Sequence, residues 1–303
     1  MSTPAIRVDG LTKYYGPIVG VEDLSFEVER GEVYGFLGAN GAGKTTTMRL
    51  LLDLLRPSGG SASVLGIDCH RDSRTARALI GYLPGELPVY PDLSAAGYLG
   101  YLARLGGRPV PQAYLRELLD RFDVSGVDLH RRLRDQSHGM KQKIGIVQAL
   151  MARAPVLILD EPTAGLDPIM VQAFRDTIEA LRKRGDTTVF LSSHVLAEVE
   201  STCNRIGLVR GGHMVASETI EDLKRKSSRV VTIDFRASVN GHVPVPPGVA
   251  MRSRSDRQWV LEVAGTLGPL LQQISVLPIH DVRIEPFRLE DYIAGFYGID
   301  VKQ

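Results

Sequence analysis

The sequence predicts an α/β fold with a mainly parallel sheet, an antiparallel β portion near the N-terminus, a helical subdomain and a small C-terminal α+β domain. Short apolar runs such as VLILD and VFLSS are typical of strands buried in a parallel sheet. Helical apolar periodicity between residues 88 and 151 indicates the helical subdomain. From residue 229 the pattern changes to short runs that alternate apolar and polar side chains, which favours a separate unit.

Length, charge and the apolar runs limit the classes of protein to which this chain can belong. The chain has 303 residues, which suits one large domain with a small one, or two domains. Its 36 basic and 35 acidic side chains nearly balance, so charge gives no argument for a nucleic-acid partner, and we predict none. The apolar runs are shorter than the roughly 20 residues of a membrane-spanning helix, and MSTPAIRVDG lacks the pattern of a secretory signal. We therefore expect a cytoplasmic protein whose Cys69 and Cys203 are reduced thiols without a chemical role.

The first motif is FLGANGAGKTTT at residues 36–47, which matches the pattern G-x-x-x-x-G-K-S/T between a strand-like and a helix-like run. Its glycines allow successive backbone N–H groups to point into one concavity at a helix start, which suits a polyphosphate. Lys44 is then expected at the β- and γ-phosphates, and the Thr45 hydroxyl at a Mg²⁺ ion. The structural alternative is a glycine-rich turn that merely ends a strand, and the motif alone does not choose among GTPases, kinases, helicases and transport motors. The predicted nucleotide contacts of this loop are Gly38, Ala39, Asn40, Gly41, Ala42, Gly43, Lys44, Thr45 and Thr46.

The second motif is APVLILDEPTAGLDP at residues 154–168. Val156 to Leu159 form a continuous apolar run that predicts a buried strand, with Asp160 and Glu161 at its carboxyl end. Ligands of open α/β sheets collect at that edge. Asp160 is expected to hold the hydration shell of Mg²⁺, and Glu161 to polarise a water molecule aimed at the γ-phosphate. The structural alternative is an Asp-Glu pair that only caps the next element.

A third motif lies between these two, in RDQSHGMKQKIGIVQALMARAP. Ser137 and Gly139 precede an amphipathic helix predicted over Met140–Met151, and a small polar residue with a glycine at a helix N-terminus forms a second anion site. A whole helical subdomain separates this site from Lys44, so one chain can hardly bring both to the same γ-phosphate. The sequence therefore favours a head-to-tail pair in which each chain completes the other's nucleotide site.

In this order and spacing, the motifs resemble those of the ATP-binding subunit of an ABC transporter, most closely the bacterial subunits that drive drug or antibiotic export through a separately encoded membrane protein. The resemblance covers residues 1 to about 228 and implies a P-loop NTPase core. It also implies ATP and Mg²⁺ as ligands, a homodimer, a membrane-spanning permease as partner and a place at the cytoplasmic face of the membrane. By the resemblance the Walker A loop is Gly38–Thr46, the signature Ser137–Met140, the Walker B strand Val156–Glu161, the loop that meets the partner subunit Ala164–Asp167, and the switch histidine His194.

Two further residues are assigned in the same way. His194 follows the run TTVFLSS and precedes a helical run, so it lies on the same sheet edge as Lys44 and Glu161 and can donate to the γ-phosphate. The alternative is an ordinary surface histidine. The resemblance implies that Tyr15, just before a glycine, stacks on adenine; the alternatives are a core tyrosine, or its neighbour Tyr14 in that role.

Two positions depart from the family pattern. Gly85 stands where the family has a glutamine that links Mg²⁺ and the attacking water to the membrane subunit, and His138 stands where the signature usually has glycine. We expect water or backbone to fill the gap at Gly85, without a catalytic role for Glu86, and we interpret His138 as a surface variation. These departures keep open a nucleotide-binding module that closes on ATP but hardly hydrolyses it. A soluble ABC ATPase of DNA repair or ribosomes is disfavoured, because the sequence shows a single cassette without a long coiled-coil or zinc-bearing insertion.

The predicted domains are residues 1–228, with the helical subdomain over about 88–151, and residues 229–303. The charged stretch KRKSS is interpreted as the linker between them. The helical arm from Pro84 to Leu105 is, by the resemblance, the surface that docks on the membrane subunit. In the C-terminal domain, VVTIDF, QWVLEV and DVRIEP predict strands, and GTLGPLLQQIS and RLEDYIAGFYG predict helices. We hypothesise that this domain stabilises the dimer or regulates it.

Overall fold

The computed structural model describes residues 3–87, 90–226, 228–239, 245–285, 289 and 293. The chain divides into two compact units, Met1–Glu218 and Thr219–Gln303, which are described separately. The predicted boundary between residues 228 and 229 lies ten residues further along the chain than this division.

The described residues of the two units form fourteen strands and ten α-helices. The strands are β1 Ile6–Tyr15, β2 Ile18–Val28, β3 Val33–Leu37, β4 Gly59–Val64, β5 Ile67–Asp68, β6 Ile80–Leu83, β7 Val156–Asp160, β8 Thr188–Ser193, β9 Arg205–Arg210, β10 His213–Thr219, β11 Ser228–Phe235, β12 Val249–Arg254, β13 Gln258–Ala264 and β14 Ile279–Glu285. The helices are α1 Lys44–Leu51, α2 Ser73–Ala78, α3 Ala95–Leu105, α4 Gln112–Arg121, α5 Gly126–His130, α6 His138–Leu150, α7 Pro168–Arg184, α8 Leu196–Thr202, α9 Ile220–Lys226 and α10 Gly268–Ile274, with a 3₁₀ turn at Leu133–Asp135.

A six-stranded sheet forms the centre of the first unit, in the order β10-β9-β3-β8-β7-β6. The β3/β8, β3/β9, β6/β7 and β7/β8 pairs are parallel. Every residue of β3, β7 and β8 is buried, as the continuous apolar runs predicted. The expected α/β fold with a mainly parallel sheet is therefore confirmed.

A second sheet of order β2-β1-β4-β5 is antiparallel throughout, which confirms the β portion expected near the N-terminus. It shares one apolar core with the parallel sheet and α1. Phe26 of β2 stacks on Phe190 of β8 with ring centroids 5.7 Å apart, and Met48 of α1 is fully buried in the same core. This core fixes α1, and with it the loop that precedes α1, against the end of β3.

The helices α3, α4 and α6 confirm the helical runs read from the sequence, although α6 begins at His138, two residues earlier than predicted. The earlier start has a local cause: the Ser137 side chain accepts a hydrogen bond from the Met140 backbone N–H and so caps the helix. The short helix α5 was not predicted, because five residues show no clear apolar periodicity. Pro88 and Val89 of the predicted docking arm lie outside the described residues.

The second unit has a four-stranded antiparallel sheet of order β12-β13-β11-β14 with α10. Trp259 of β13 lies in its core and meets Phe235 edge to face at 4.9 Å. The predicted strands and the helix α10 are confirmed, whereas the helix predicted at RLEDYIAGFYG lies mostly outside the described residues. The linker KRKSS is corrected: Lys224–Lys226 ends α9 and Ser228 begins β11. The Thr219 hydroxyl caps this helix by accepting from the Asp222 N–H at 3.0 Å.

Within the described part of the chain, every helix is too short or too polar to cross a lipid bilayer.

Candidate active site

Three parallel strands end at one edge of the central sheet and bring the predicted site residues together. In the register of these strands, Leu37 of β3 pairs with Ser193 of β8, and Asp160 of β7 pairs with Ser192 of β8. The loop before α1, Glu161 and His194 therefore all follow strand ends at the same edge.

The loop between β3 and α1 has a conformation that requires glycine at several positions. Gly41 and Gly43 have φ angles of 79° and 108°, a region that favours glycine. A Cβ on Gly38 would lie 2.4 Å from the Val209 carbonyl oxygen, so only glycine fits there. Asn40 and Gly41 are exposed, and the Ala42 N–H donates to the Ala39 carbonyl oxygen at 3.1 Å across them.

Lys44 begins α1 and is buried under this loop. Its ammonium donates to the carbonyl oxygens of Gly38 at 2.7 Å and Ala39 at 3.2 Å. The same ammonium lies 4.0 Å from the Glu161 carboxylate. The positive charge is therefore held inside the curve of the loop, next to the end of β7.

Asp160 is buried, and both of its carboxylate oxygens accept a hydrogen bond from a hydroxyl. Thr45 donates to Oδ2 at 2.8 Å, and Ser192 donates to Oδ1 at 2.6 Å. Sequence analysis missed Ser192, although the two serines that close the buried run TTVFLSS are a usable signal of polar groups at the end of a strand.

Glu161 has an unusual backbone for a residue with a side chain. Its φ angle is 50°, in the left-handed region that costs a non-glycine residue about 1–3 kcal/mol. The Ser192 hydroxyl accepts from the Glu161 N–H at 3.0 Å, and the Gln142 side-chain amide donates to the Glu161 carbonyl at 3.1 Å. One carboxylate oxygen of Glu161 lies 2.6 Å from Nδ1 of the exposed His194. Glu161 thus lies between Lys44 and His194.

A cavity of about 230 Å³ adjoins the Asp160 carboxylate. It is lined by Thr45, Arg49, Tyr82, Pro84, Gly85, Glu86 and Asp160. A Cβ on Gly85 would lie 3.4 Å from Oδ2 of Asp160, so the missing side chain leaves space beside that oxygen. Burial, and next the Asp160 charge, raise the pKa of Tyr82 to about 12, which keeps its phenol neutral.

This donor set fits a magnesium ion. Mg²⁺ takes hard oxygen ligands and keeps several water molecules when it binds one or two carboxylates and a phosphate. The Thr45 hydroxyl and the Asp160 carboxylate converge within hydrogen-bonding distance at the mouth of a cavity large enough for such waters.

Tyr15 is exposed, and its hydroxyl lies 3.5 Å from the Thr46 hydroxyl at the start of α1. The core-tyrosine alternative is therefore wrong. The ring is next to the phosphate loop, where it can stack on a base. Tyr14 is also exposed but donates to Glu22 at 2.6 Å.

The signature residues lie against the loop at 164–167, not against the phosphate loop of the same chain. A Cβ on Gly139 would lie 2.9 Å from the Gly165 carbonyl oxygen, and a Cβ on Gly165 would overlap the His138 ring. Ser137 and His138 are exposed. The structure thus gathers the predicted site residues in two groups, with Ser137 and Gly139 in the second.

Comparison with known proteins shows which family this chain is similar to. Residues 21–164 match the family described as "ABC transporter". The bacitracin transport ATP-binding protein BcrA of Enterococcus faecalis is 35% identical over 233 residues, which are 76% of this chain and 74% of that protein. The daunorubicin resistance ATP-binding protein DrrA3 of Streptomyces coeruleorubidus is 37% identical over 230 residues, 75% and 72% of the two chains. A solved structure titled as the dimeric structure of MJ0796, a bacterial ABC transporter cassette, has a TM-score of 0.65 at 20% identity and covers 71% of this chain and 98% of that one, a likeness of fold.

Proposed function

Because the chain belongs to the ABC transporter family as an ATP-binding subunit, we propose that it hydrolyses MgATP and thereby powers export of a drug, antibiotic or lipid-like compound through a separate membrane protein. The observation on which the proposal depends is the position of Glu161, with its carboxylate 4.0 Å from Lys44 and 2.6 Å from His194 at the end of β7. A carboxylate held there can accept the proton of a water that attacks the γ-phosphorus.

The remaining groups bind and stabilise the phosphates. Lys44 and the N–H groups of residues 38–46 hold the β- and γ-phosphates, and His194 donates to the γ-phosphate as its charge moves. Thr45 and Asp160 hold Mg²⁺, which when bound neutralises charge that develops on the phosphate oxygens. Tyr15 stacks on the adenine.

A homodimer completes each site in this proposal. Ser137 and Gly139 of one subunit bind the γ-phosphate held by the other, because within one chain they lie beside Gly165 instead. The exposure of Ser137 at the N-terminus of α6 supports an anion site there. The dimer of the MJ0796 cassette has the same fold and supports the arrangement.

The names of the relatives support the transport role. Their names concern bacitracin transport and daunorubicin resistance, which supports a role for this chain in supplying energy to a transporter. We propose that the arm from Pro84 to Leu105 docks on the membrane protein at the cytoplasmic face of the membrane. Tyr90 and Leu105 are exposed there. The test is whether a membrane protein co-purifies with this chain and is lost when the arm is altered.

A second candidate function is a nucleotide-binding module with little hydrolysis. The glycine at position 85 favours it, because this residue has no side chain to reach the Asp160 carboxylate from its side of the cavity. The retained Glu161 argues against it.

A steady-state phosphate-release assay separates the two functions. Glu161→Gln should lower kcat about 10²- to 10⁴-fold, because the general base is lost while ATP binding by the phosphate loop remains. Glu179→Gln is the matched control: it makes the same change on α7, where Glu179 pairs with Arg182 on the surface, and should hydrolyse ATP at the native rate. Phosphate release that is equally slow from the native protein and Glu161→Gln would favour the binding module.

A further inference from the structure

Both backbone polar groups of Glu161 are bound by side chains from distant elements. Ser192 of β8 accepts from its N–H at 3.0 Å, and Gln142 of α6 donates to its carbonyl at 3.1 Å and to the Pro162 carbonyl at 2.9 Å. Ser192 is fully buried and Gln142 nearly so. A residue with φ of 50° needs its surroundings to hold it there. The Ala164 N–H also donates to the Glu161 carbonyl at 3.1 Å as part of the local turn, and Ser192 and Gln142 add side-chain restraints from outside that turn.

The Ser192 hydroxyl also contacts the neighbouring residue Asp160, because a hydroxyl can donate one hydrogen bond while it accepts another. It donates to Oδ1 of Asp160 at 2.6 Å while it accepts from Glu161, so a single oxygen is bound to two consecutive site residues. With Oδ1 fixed by Ser192, Oδ2 is left toward Thr45 and the cavity beside Gly85. Ser192 thus orients this carboxylate through the oxygen that does not face the proposed metal site.

We propose that Ser192 and Gln142 are positioning residues for ATP hydrolysis: together they hold Glu161 in its left-handed conformation, and Ser192 alone also orients the Asp160 carboxylate toward the metal site. The inference rests on the hydrolytic function proposed above. The two residues should therefore differ in what they affect. Gln142 contacts the carbonyls of residues 161 and 162, and so should affect hydrolysis alone. Ser192 contacts both Asp160 and Glu161, and so should affect the metal site as well.

The test measures two quantities on the full-length chain. One is kcat for MgATP from phosphate release. The other is the ratio of affinities for a fluorescent ATP analogue with Mg²⁺ and with a chelator, which reports the metal site without any hydrolysis.

Ser192→Ala removes the hydroxyl. Loss of a group that orients a metal ligand typically costs 10- to 100-fold, so we expect both kcat and the magnesium-dependent gain in affinity to fall by about that factor. Binding in the chelator should stay at the native level. Ser192→Cys, which replaces the hydroxyl by a somewhat larger thiol that is only a weak donor and acceptor, should change both quantities in the same direction and serves if the alanine variant fails to fold.

Gln142→Met removes the two amide hydrogen bonds at similar volume. We expect kcat to fall about 10- to 100-fold, because displacement of the base weakens its aim at water. The magnesium-dependent gain in affinity should stay at the native level.

Thr188→Val is the matched control. Thr188 is a buried residue at the other end of β8, and its hydroxyl accepts from the Gly31 N–H at 3.0 Å, so the variant also loses a buried hydroxyl from this strand. Both quantities should stay at the native level. The inference is overturned if folded Ser192 variants equal the native protein in both quantities, if Gln142→Met leaves kcat unchanged, or if Thr188→Val lowers kcat as strongly as Ser192→Ala. A native protein that does not hydrolyse ATP refutes the proposed function, and the affinity ratio still decides the role of Ser192.

Discussion

Two adjacent tyrosines at the end of β1 have different surroundings. The Tyr14 hydroxyl donates to Glu22 at 2.6 Å, and this hydrogen bond to a carboxylate raises the pKa of Tyr14. The Tyr15 hydroxyl lies 3.5 Å from Thr46, and Lys13 places its ammonium 5.5 Å from the Tyr15 ring centroid. Of these two tyrosines, Tyr15 is therefore the one that contacts the start of α1 beside the phosphate loop.

Replacement of these tyrosines tests the proposed base stacking. Stacking of a base on an aromatic ring contributes about 1–3 kcal/mol, so Tyr15→Ala should weaken ATP binding roughly 5- to 150-fold. Tyr15→Phe should bind ATP like the native protein. Tyr14→Ala is the control, and a fluorescence titration gives the three affinities. An equal loss in Tyr14→Ala and Tyr15→Ala would contradict the assignment.

At the level of residues, sequence reasoning reached groups whose position depends on local spacing and missed those that depend on register. Lys44 and Thr45 follow directly from the loop and the helix start, so the motif itself predicts where they lie. The role of Ser192 depends on the pairing of β7 with β8, which brings it to Asp160 across 32 positions of sequence. Gln142 reaches Glu161 only after α6 packs beside the end of β7.

The connection between α1 and α2 is organised around one buried carboxylate. Asp53, just after α1, accepts from Nδ1 of His70 at 2.8 Å, with Arg56 at 3.4 Å and Arg77 at 3.8 Å. The hydrogen bond from His70, helped by one from Ser73 and by Arg56, lowers the pKa of Asp53 below its usual value. The folded state therefore favours the ionised carboxylate.

Asp53→Asn should destabilise the protein in a pH-dependent way. A carboxyl group whose pKa is lower in the folded than in the unfolded chain stabilises the fold above the unfolded pKa, about 3.9, and this stabilisation is lost as the pH falls through the folded pKa. Urea unfolding should therefore show a larger difference between native protein and variant at about pH 5.5 than at about pH 3.5. Asp92→Asn, at an exposed carboxylate near Arg134, serves as control. A difference that is the same at both pH values would contradict the role of the Asp53 charge.

Helices with a long apolar periodicity were predictable from the sequence. Elements that form because of a helix cap or a strand pairing were missed. The eleven residues of α3 and the ten of α4 show clear apolar periodicity. By contrast, α9 depends on the cap between Thr219 and Asp222, and its charged end resembled a linker. The strand β12 alternates weakly in sequence and forms because it pairs with β13.

At the scale of the whole molecule, the predicted site residues of one chain lie in two separate groups. Lys44, Glu161 and His194 lie together, while Ser137 and Gly139 lie at the start of α6 beside Gly165. Sequence order predicted this separation, because the helical subdomain stands between the motifs. The geometry of the partner subunit does not follow from one chain, since it depends on contacts between two surfaces.

A charge at the signature tests whether two chains close on nucleotide. In a Glu161→Gln background, which retains ATP, the chain should sediment as a dimer with MgATP and as a monomer without it. Addition of Ser137→Glu should raise the dimer dissociation constant roughly 100-fold or more, because it places a carboxylate against the partner's triphosphate. Ser125→Glu is the matched control: Ser125 is also an exposed serine that caps a helix of the helical subdomain, by accepting from the Asp128 N–H. A dimer that persists in Ser137→Glu, or that is lost equally in Ser125→Glu, would contradict the composite site.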